Sequence, residues 1–246
     1  MSTWLDSTRQ ALSEASKPVT FFVRDDDVGW ADEQLLALLD VFADVELPID
    51  LAVIPRALTR RLARCLQRRP QRIDVHQHGY AHVNHEPEGR KCEFGPVRSR
   101  ARQRLDIARG QQRLRALLGP GVRPIFTPPW NRCTPETAAC LVELGFVALS
   151  RDVSAGRLAM AGLTELPVGF DWFAKRKGWP LSRDERGELL ARQIQTTTPV
   201  GIMLHHAPMD AEDLAALREL LVLLAEHRHA RVSSMWSLLS PDQSES

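Results

Sequence analysis

Residues 75–85 read Val-His-Gln-His-Gly-Tyr-Ala-His-Val-Asn-His and overlap the end of a short strand-like run, Arg72–His76. Four of the eight histidines of the protein lie within this stretch. Imidazole is the commonest metal ligand at neutral pH. Two imidazoles four residues apart at the end of a rigid element, as at His78 and His82, suit a divalent metal ion. The stretch therefore predicts a strand that leads into a metal-binding loop, which indicates an enzyme.

The same arrangement of a short strand followed by a polar segment recurs along the chain. The expected strands are Val19–Arg24, Ile49–Ile54, Arg72–His76, Pro124–Thr127, Phe146–Leu149, Glu165–Val168 and Val200–His205. The expected helices, read from apolar residues at helical spacing, are Asp32–Ala43, Leu58–Gln67, Arg98–Leu118, Pro135–Leu144, Arg183–Gln195 and Ala211–His227. Alternation of this kind predicts an α/β fold of parallel strands joined by right-handed crossovers, either a barrel or a doubly wound sheet.

Composition excludes several classes of function. The net charge is +1, so the chain has no overall attraction to nucleic acid or to an anionic membrane. The N-terminus has no basic segment followed by an apolar core, and no apolar run has membrane-spanning length. We expect a cytoplasmic protein with an N-terminal helical extension at residues 1–17, a single domain at 18–240 and a disordered tail at 241–246.

Unusual polar residues fall at the ends of five of the seven expected strands. They are Asp25–Asp27, His76 with His78, Pro128–Asn131, Asp171, and His205 with His206. In parallel α/β folds, the chemistry collects at the carboxyl ends of the strands. The five clusters therefore predict one converging site.

The residues alone leave several roles open. Adjacent carboxylates repel one another unless a cation or hydrogen bonds compensate, so Asp25–Asp27 are either metal and proton-transfer groups or a solvated turn. Asp27 is the member expected to belong to the turn. His76 could be a ligand, a support for a ligand, or a buried core histidine. Of His205 and His206, only one imidazole is expected to enter the site, because neighbouring strand residues point to opposite faces.

Four motifs in this order resemble those of the polysaccharide deacetylase family, which is carbohydrate esterase family 4 or the NodB homology domain. The matching residues are Arg24-Asp25-Asp26-Asp27, His78-Gly79-Tyr80-Ala81-His82-Val83-Asn84, Phe126-Thr127-Pro128-Pro129-Trp130-Asn131 and Leu204-His205-His206. The resemblance implies a distorted (β/α)7 barrel of the NodB type. It spans Val19–His206, which is most of the chain.

The resemblance also implies a role for each matching residue. Asp25 would be the general base and His206 the general acid, and the Trp130 amide would bind the oxyanion. The metal ligands would be Asp26, His78 and His82. Asp171 would orient His206, with Asp152 as the alternative for that role.

Two departures from the family pattern leave alternatives. Thr127 stands where the family has an arginine, for which Arg24 or Arg132 could substitute. The additional aspartate allows Asp26 and Asp27 to be the base and the ligand instead. His76, His85 and His205 are then expected to support the ligands or to be structural.

The expected activity is that of a metal-dependent deacetylase, a hydrolase of non-peptide C–N bonds that removes an acyl group from an amino sugar. The expected metal is zinc, with cobalt, manganese or nickel as alternatives. The expected partner is a small-molecule or oligosaccharide substrate, with no nucleic acid and no membrane. Aromatic side chains that could form the apolar walls on which a sugar stacks are Trp30, Tyr80, Trp130, Phe170 and Trp172, and any of them could instead belong to the core. Alternatives are hydrolysis of cyclic amides or imides on the same fold, and a non-catalytic carbohydrate-binding or regulatory relative.

Overall fold

A computed structural model of the protein describes residues 3–69 and 72–239. Its strands are β1 (Val19–Val28), β2 (Ile49–Val53), β3 (Ile73–His78), β4 (Val122–Thr127), β5 (Ala148–Leu149), β6 (Thr164–Glu165), β7 (Phe170–Asp171), β8 (Lys175–Arg176), β9 (Trp179–Pro180), β10 (Val200–His205) and β11 (Ala230–Val232). Its helices are α1 (Asp6–Glu14), α2 (Asp32–Asp44), α3 (Arg60–Gln67), α4 (Arg100–Leu118), α5 (Pro135–Glu143), α6 (Arg183–Thr196), α7 (Ala211–Glu226) and α8 (Met235–Leu239). The expected alternation of strands and helices is confirmed.

The chain forms two compact units. The first unit comprises Met1–Asp25, Glu33–Asp50 and Val168–Ser246, and the second comprises Asp26–Asp32 and Leu51–Pro167. The expected boundaries at residues 17 and 240 stay predictions, and the tail at 241–246 lies outside the described residues. Among the described helices, none is both long and apolar enough to cross a bilayer.

The first unit is built on parallel strands. Strand β11 pairs with β1, where Ala230 lies opposite Val19, and β7 pairs with β10. Helix α1, within the expected helical extension, packs against α6. Trp172 is 1% exposed, and its indole N–H donates to Asp213 at 2.9 Å. Trp172 is therefore a core residue, and with the fully buried Phe170 it is not available for the sugar stacking that the sequence suggested.

The second unit contains strands β3, β4, β5 and β6, which pair in parallel in that order. Helices α4 and α5 pack against each other, and a buried apolar cluster includes Phe94, Phe126 and Phe146, whose rings meet edge to face. The register of β3 and β4 sets His78 beside Thr127. The sheet thus brings the last residue of β3 next to the start of the proline-rich loop.

Local sequence signals explain most element boundaries. Thr134 caps α5 with Pro135 at its first position, and Ser182 with Glu185 forms a capping box at α6. Strand β10 has the predicted bounds. Strands β7, β8, β9 and β11 have only two or three residues and were not predicted, whereas the equally short β5 and β6 overlap the expected strands Phe146–Leu149 and Glu165–Val168.

A buried ion pair stabilises the second unit. Arg151 lies 3.0 Å from Glu165, and their side chains are 5% and 10% exposed. Glu165 also accepts hydrogen bonds from the backbone N–H groups of Leu158 and Ala159. Burial raises the pKa of Glu165, but these amides and Arg151 outweigh it and lower the pKa from its usual value.

We expect Glu165→Gln to lower the free energy of unfolding by about 3 kcal/mol at neutral pH, because it leaves a buried guanidinium without its carboxylate. A folded-state pKa below the unfolded value stabilises the fold above the unfolded pKa. That stability is lost as the pH falls through the folded value. The difference in free energy of unfolding between wild type and variant, measured by urea unfolding, should therefore shrink below about pH 4.

Glu143→Gln is the matched control, because Glu143 pairs with Arg100 and Arg104 at the surface of the same unit, where the three side chains are 43% to 52% exposed. Exposed pairs contribute at most about 1 kcal/mol. An equal loss of stability in the two variants would contradict the importance assigned to the buried pair.

Candidate metal centre

Three side chains in the second unit form a group that could hold a metal ion. Asp27 Oδ1 lies 3.1 Å from His78 Nε2 and 3.0 Å from His82 Nε2. One potential ligand atom from each residue lies within 4.8 Å of the other two. One carboxylate and two imidazoles are the donor set of catalytic zinc sites that keep a position open for water or substrate.

The backbone places each of the three differently. His78 is the last residue of β3, and its Nδ1 lies 3.1 Å from the carbonyl oxygen of Thr127 on β4. His82 follows in a turn and has φ 56°, in the left-handed region. Asp27 near the end of β1 has φ 67°. Two of the three residues therefore hold the left-handed backbone conformation, which is uncommon for residues other than glycine, although aspartate and histidine adopt it more often than most.

Hydrogen bonding at His78 supports the fit of a cation. A carbonyl oxygen only accepts, so the Nδ1 of His78 carries the proton that it donates to Thr127. In the neutral ring, Nε2 then presents a lone pair to the Asp27 carboxylate, which is also an acceptor. Two acceptors 3.1 Å apart repel unless a second proton or a metal ion lies against them. Fixing the tautomer through a backbone carbonyl is also how proteins orient histidine ligands.

Asp27 is suited to be an anionic ligand. Burial raises the pKa of its carboxyl, but hydrogen bonds to His78 and His82 and their positive charge outweigh burial and hold the pKa well below its usual range. A carboxylate that stays ionised can bind a cation throughout the physiological pH range.

The aspartate in this group differs from the one that the sequence favoured. Asp26 was expected to be the ligand and Asp27 to belong to a turn, but it is Asp27 that contacts both imidazoles. The left-handed φ of Asp27 directs the chain away from a regular strand, which strand periodicity does not anticipate. Asp26 is 2% exposed and also lies in the second unit.

Asp25 has a different partner, in the first unit. Its carboxylate accepts a hydrogen bond from the His206 backbone N–H at 3.0 Å and contacts His206 Nδ1 at 2.7 Å. Both side chains are fully buried. An ionised carboxylate only accepts, so Nδ1 carries a proton and Nε2 is the ring nitrogen that can exchange one with another group. Of the two adjacent histidines, His206 is the buried one, and His205 at the end of β10 is partly exposed.

The loop after β4 carries Trp130 beside the metal group. Pro128 and Pro129 have no backbone N–H, so the Trp130 amide is the first donor after Thr127. Trp130 has φ 55°, and its ring centroid lies 4.4 Å from that of His82. On the other side, the ring of Trp30 lies 4.9 Å from His82 and is 42% exposed.

The remaining expected site residues lie in varied surroundings. His76 is buried against the Thr127 hydroxyl at 2.9 Å, whereas His85 is exposed. The two candidate replacements for the missing arginine are Arg24, which is fully buried and contacts the sulfur of Met203, and Arg132, which donates to the carbonyl of Lys91. Asp171 accepts from the Phe173 amide, and Asp152 caps a short turn by accepting from the Ser154 amide. The roles assigned to these residues stay predictions.

Sequence reasoning missed Glu93, which lies between β3 and α4. Its side chain is buried, and it accepts hydrogen bonds from three successive backbone N–H groups, those of Tyr80, Ala81 and His82. No motif marks it. A single acidic residue between Cys92 and Phe94, in a stretch without regular structure, was the only available signal.

Comparison with known proteins gives no match by sequence: no family model and no curated protein matches the chain. Solved structures do match. One is a Mycobacterium smegmatis protein provisionally named a polysaccharide deacetylase. The match spans 92% of this chain and 90% of the Mycobacterium chain, with TM-score 0.68 and 17% identity. A family 4 acetyl xylan esterase from Clostridium thermocellum, solved with a cobalt ion, matches over 90% of this chain and 91% of its own, with TM-score 0.60 and 14% identity. The protein has the fold of carbohydrate esterase family 4.

The NodB-type fold that the motifs predicted is thus confirmed. Members of this fold differ in activity. A family 4 pseudoenzyme from Bacillus anthracis matches over 91% of this chain and 66% of its own, with TM-score 0.60 and 16% identity, and a mutant of it has restored activity. At these identities the comparisons show the fold, and the function must be argued from the side chains.

Gly79→Ala should greatly weaken metal binding, because a Cβ at this position would lie 2.2 Å from Glu93 Oε2 and 2.5 Å from Pro129 Cδ. The substitution also strains the left-handed backbone, which has φ 54°. Isothermal titration with zinc should show affinity at least about tenfold weaker than wild type.

Gly89→Ala is the matched control. Gly89 also has a left-handed φ, 77°, in the same unit, but an added Cβ there meets nothing within 4 Å. The control shares the backbone strain and lacks the collision. Equal effects on zinc affinity would attribute the loss to strain and contradict the crowding at Gly79.

Proposed function

We propose that this protein is a metal-dependent amidohydrolase of the deacetylase type, which removes an acetyl or similar acyl group from the nitrogen of an amino sugar. The observation that carries the proposal is the convergence of Asp27, His78 and His82, with two imidazole nitrogens facing one carboxylate oxygen. The NodB-type fold supports the same reaction class, because structures that share it include esterases and a peptidoglycan N-acetylglucosamine deacetylase.

Asp27, His78 and His82 would hold the divalent ion, with zinc as the first candidate and cobalt, manganese or nickel as alternatives. Nitrogen and oxygen donors without a thiolate suit all four metals. When bound, such an ion supplies Lewis-acid polarisation of a carbonyl and a lowered pKa for water. Hydrolysis of the acyl–nitrogen bond also requires a proton acceptor, a proton donor and a group that stabilises negative charge.

Asp26 is the proposed proton acceptor, in place of Asp25. With Asp27 as the ligand, the base–ligand aspartate pair of the family falls on Asp26 and Asp27, an alternative that the sequence had left open. Asp25 is occupied by two hydrogen bonds with His206 and is better suited to orient that ring. Proton transfer by a well-placed side chain contributes about 100- to 10,000-fold to the rate.

His206 is proposed to donate a proton through Nε2 to the departing amine. Its Nδ1 is held by Asp25, as the orienting carboxylate holds the imidazole in other hydrolases. The Trp130 amide is proposed to stabilise the oxyanion, since it is the first backbone donor after two prolines and the tryptophan ring packs on the ligand His82.

A sugar ring is the proposed substrate because two tryptophans flank the metal group. Trp30 and Trp130 both pack on His82, and Trp30 keeps 42% of its surface exposed. The C–H faces of a pyranose ring stack on such surfaces, whereas a linear acyl amide has no comparable flat face. Hydrolysis of a cyclic amide or imide is the alternative substrate class on the same residues.

A non-catalytic, carbohydrate-binding role is the second candidate function. Thr127 replaces the arginine of the family motif, and one structure of this fold is a pseudoenzyme. In this chain, however, position 127 supports the histidines. The Thr127 carbonyl contacts His78 Nδ1, and its hydroxyl contacts His76 Nε2. That use of the position favours the enzyme.

Asp27→Asn and Asp26→Asn should separate metal binding from turnover. Asp27→Asn removes the anionic ligand, so metal content measured after dialysis should fall well below one ion per chain. Asp26→Asn should keep the metal and lose at least about 100-fold in kcat for acetate release from N-acetylated amino sugars.

The opposite pattern, with metal lost in Asp26→Asn and retained in Asp27→Asn, would restore Asp26 as the ligand. Wild-type protein that binds zinc stoichiometrically but releases no acetate from any N-acetylated sugar, cyclic amide or imide would favour the non-catalytic role. Treatment of an active preparation with a chelator should abolish activity, and zinc or cobalt should restore it.

Trp30→Ala tests the proposed sugar contact. Loss of the stacking surface should raise KM for an N-acetylated sugar by about tenfold, since aromatic stacking contributes on the order of 1.5 kcal/mol. Trp179→Ala is the control, because Trp179 is 78% exposed on β9 in the first unit. Equal KM values in wild type, Trp30→Ala and Trp179→Ala would argue against Trp30 as a substrate contact.

A further inference from the structure

We propose that Glu93 is the positioning residue of the metal centre: its buried carboxylate fixes the backbone of residues 80–82 in the conformation that presents His82 as a ligand. The inference rests on the proposed function, because it concerns the same metal group. Glu93 would touch neither metal nor substrate, and it would act only through the backbone.

The Glu93 carboxylate accepts hydrogen bonds from three successive backbone N–H groups. Its Oε1 accepts from the Ala81 N–H at 2.7 Å, and its Oε2 accepts from the N–H groups of Tyr80 at 3.1 Å and His82 at 3.3 Å. Three successive amides directed at one carboxylate form a concave anion-binding turn of the kind known as a nest. A left-handed residue is often part of such a turn, and Gly79 and His82 have φ values of 54° and 56°.

Glu93 is 1% exposed, so its placement carries a desolvation cost that must be offset by these three amides. The same amides would otherwise be left without a strong acceptor beneath the loop. The carboxylate and the turn therefore require each other, and the left-handed backbone of His82 is the conformation in which both are satisfied.

The segment that carries Glu93 is itself fixed. The Arg98 guanidinium donates to the Glu93 carbonyl, and Phe94 is fully buried in the apolar cluster of this unit. On the other side, the amide of Cys92 donates to the Asn84 side chain at 2.9 Å. These contacts hold in place the segment that carries the Glu93 carboxylate.

The two histidine ligands are thus held by different means. His78 is set by its place in β3 and by the contact of its ring with the Thr127 carbonyl. His82 lies outside any strand or helix, and its amide is held by Glu93. Loss of Glu93 should therefore displace His82 and leave His78 in place.

Glu93→Gln is the decisive variant, because it keeps the size of the side chain and removes the charge and one of the two acceptor oxygens. Glu165→Gln is the matched control. Glu165 is also a buried carboxylate of the second unit that accepts from two successive amides, those of Leu158 and Ala159, but it pairs with Arg151 and not with a residue of the metal group. Its variant reproduces the loss of stability without disturbing residues 80–82.

Two measurements are made on both variants and on wild type. The first is metal binding by the full chain, as zinc affinity from chelator competition and as the visible absorption spectrum of the cobalt form. We expect Glu93→Gln to weaken zinc binding by about 10- to 100-fold and to alter the cobalt spectrum. Glu165→Gln should change neither.

The second measurement is amide hydrogen exchange in the metal-free protein. The amides of residues 80–82 should exchange at least about tenfold faster in Glu93→Gln than in wild type, and those of β3 should be unchanged. If Glu93→Gln fails to fold, Glu93→Asp retains the charge with a shorter reach. It should then show a smaller change in the same direction in both measurements.

The outcomes separate this inference from the proposed function. Wild-type protein that binds no metal overturns the proposed function and, with it, the role of Glu93 in positioning a metal ligand. Wild-type binding with unchanged affinity, cobalt spectrum and exchange in the Glu93 variants overturns the positioning role alone. A loss of affinity in Glu165→Gln equal to that in Glu93→Gln would attribute the effect to general destabilisation and would also overturn it.

Discussion

Repulsion among three consecutive carboxylates is the constraint around which this protein is organised. Asp25, Asp26 and Asp27 are all largely buried near the end of β1, where anions are costly without compensation. The carboxylate of Asp25 is compensated by the backbone N–H and imidazole of His206, and that of Asp27 by the imidazoles of His78 and His82. Three of the eight histidines are thus divided between these two aspartates, and this division is the basis of the separate roles proposed for them.

The alternation of strands and helices was readable from the sequence because five of the seven expected strands end in polar residues and several helices begin with a capping residue. Strand β10 and the caps at Thr134 and Ser182 follow from this local chemistry. The pair His78 and His82 was also recognisable, since its four-residue spacing after a strand is rare without a metal. These features depend on residues close together in the chain, where periodicity carries information.

The parts that escaped prediction depend on three-dimensional contacts. Which of three identical aspartates faces the histidines is decided by the left-handed backbone at Asp27, and composition cannot distinguish them. The Glu93 carboxylate accepts from backbone amides 11 to 13 residues away, so no side-chain motif in the sequence identifies it. Trp172 resembled a sugar-binding residue by its place after a short strand, but its packing against Arg186 and Asp213 makes it part of the core.

The crowding at Gly79 has a consequence for how this protein can vary. The space above its Cα is filled by the carboxylate of Glu93 on one segment and by the ring of Pro129 on another. A side chain at position 79 would therefore require both the Glu93 carboxylate and the Pro129 ring to shift. Substitutions at positions 79, 93 and 129 are therefore expected to depend on one another. Natural variants should keep all three residues or replace them together.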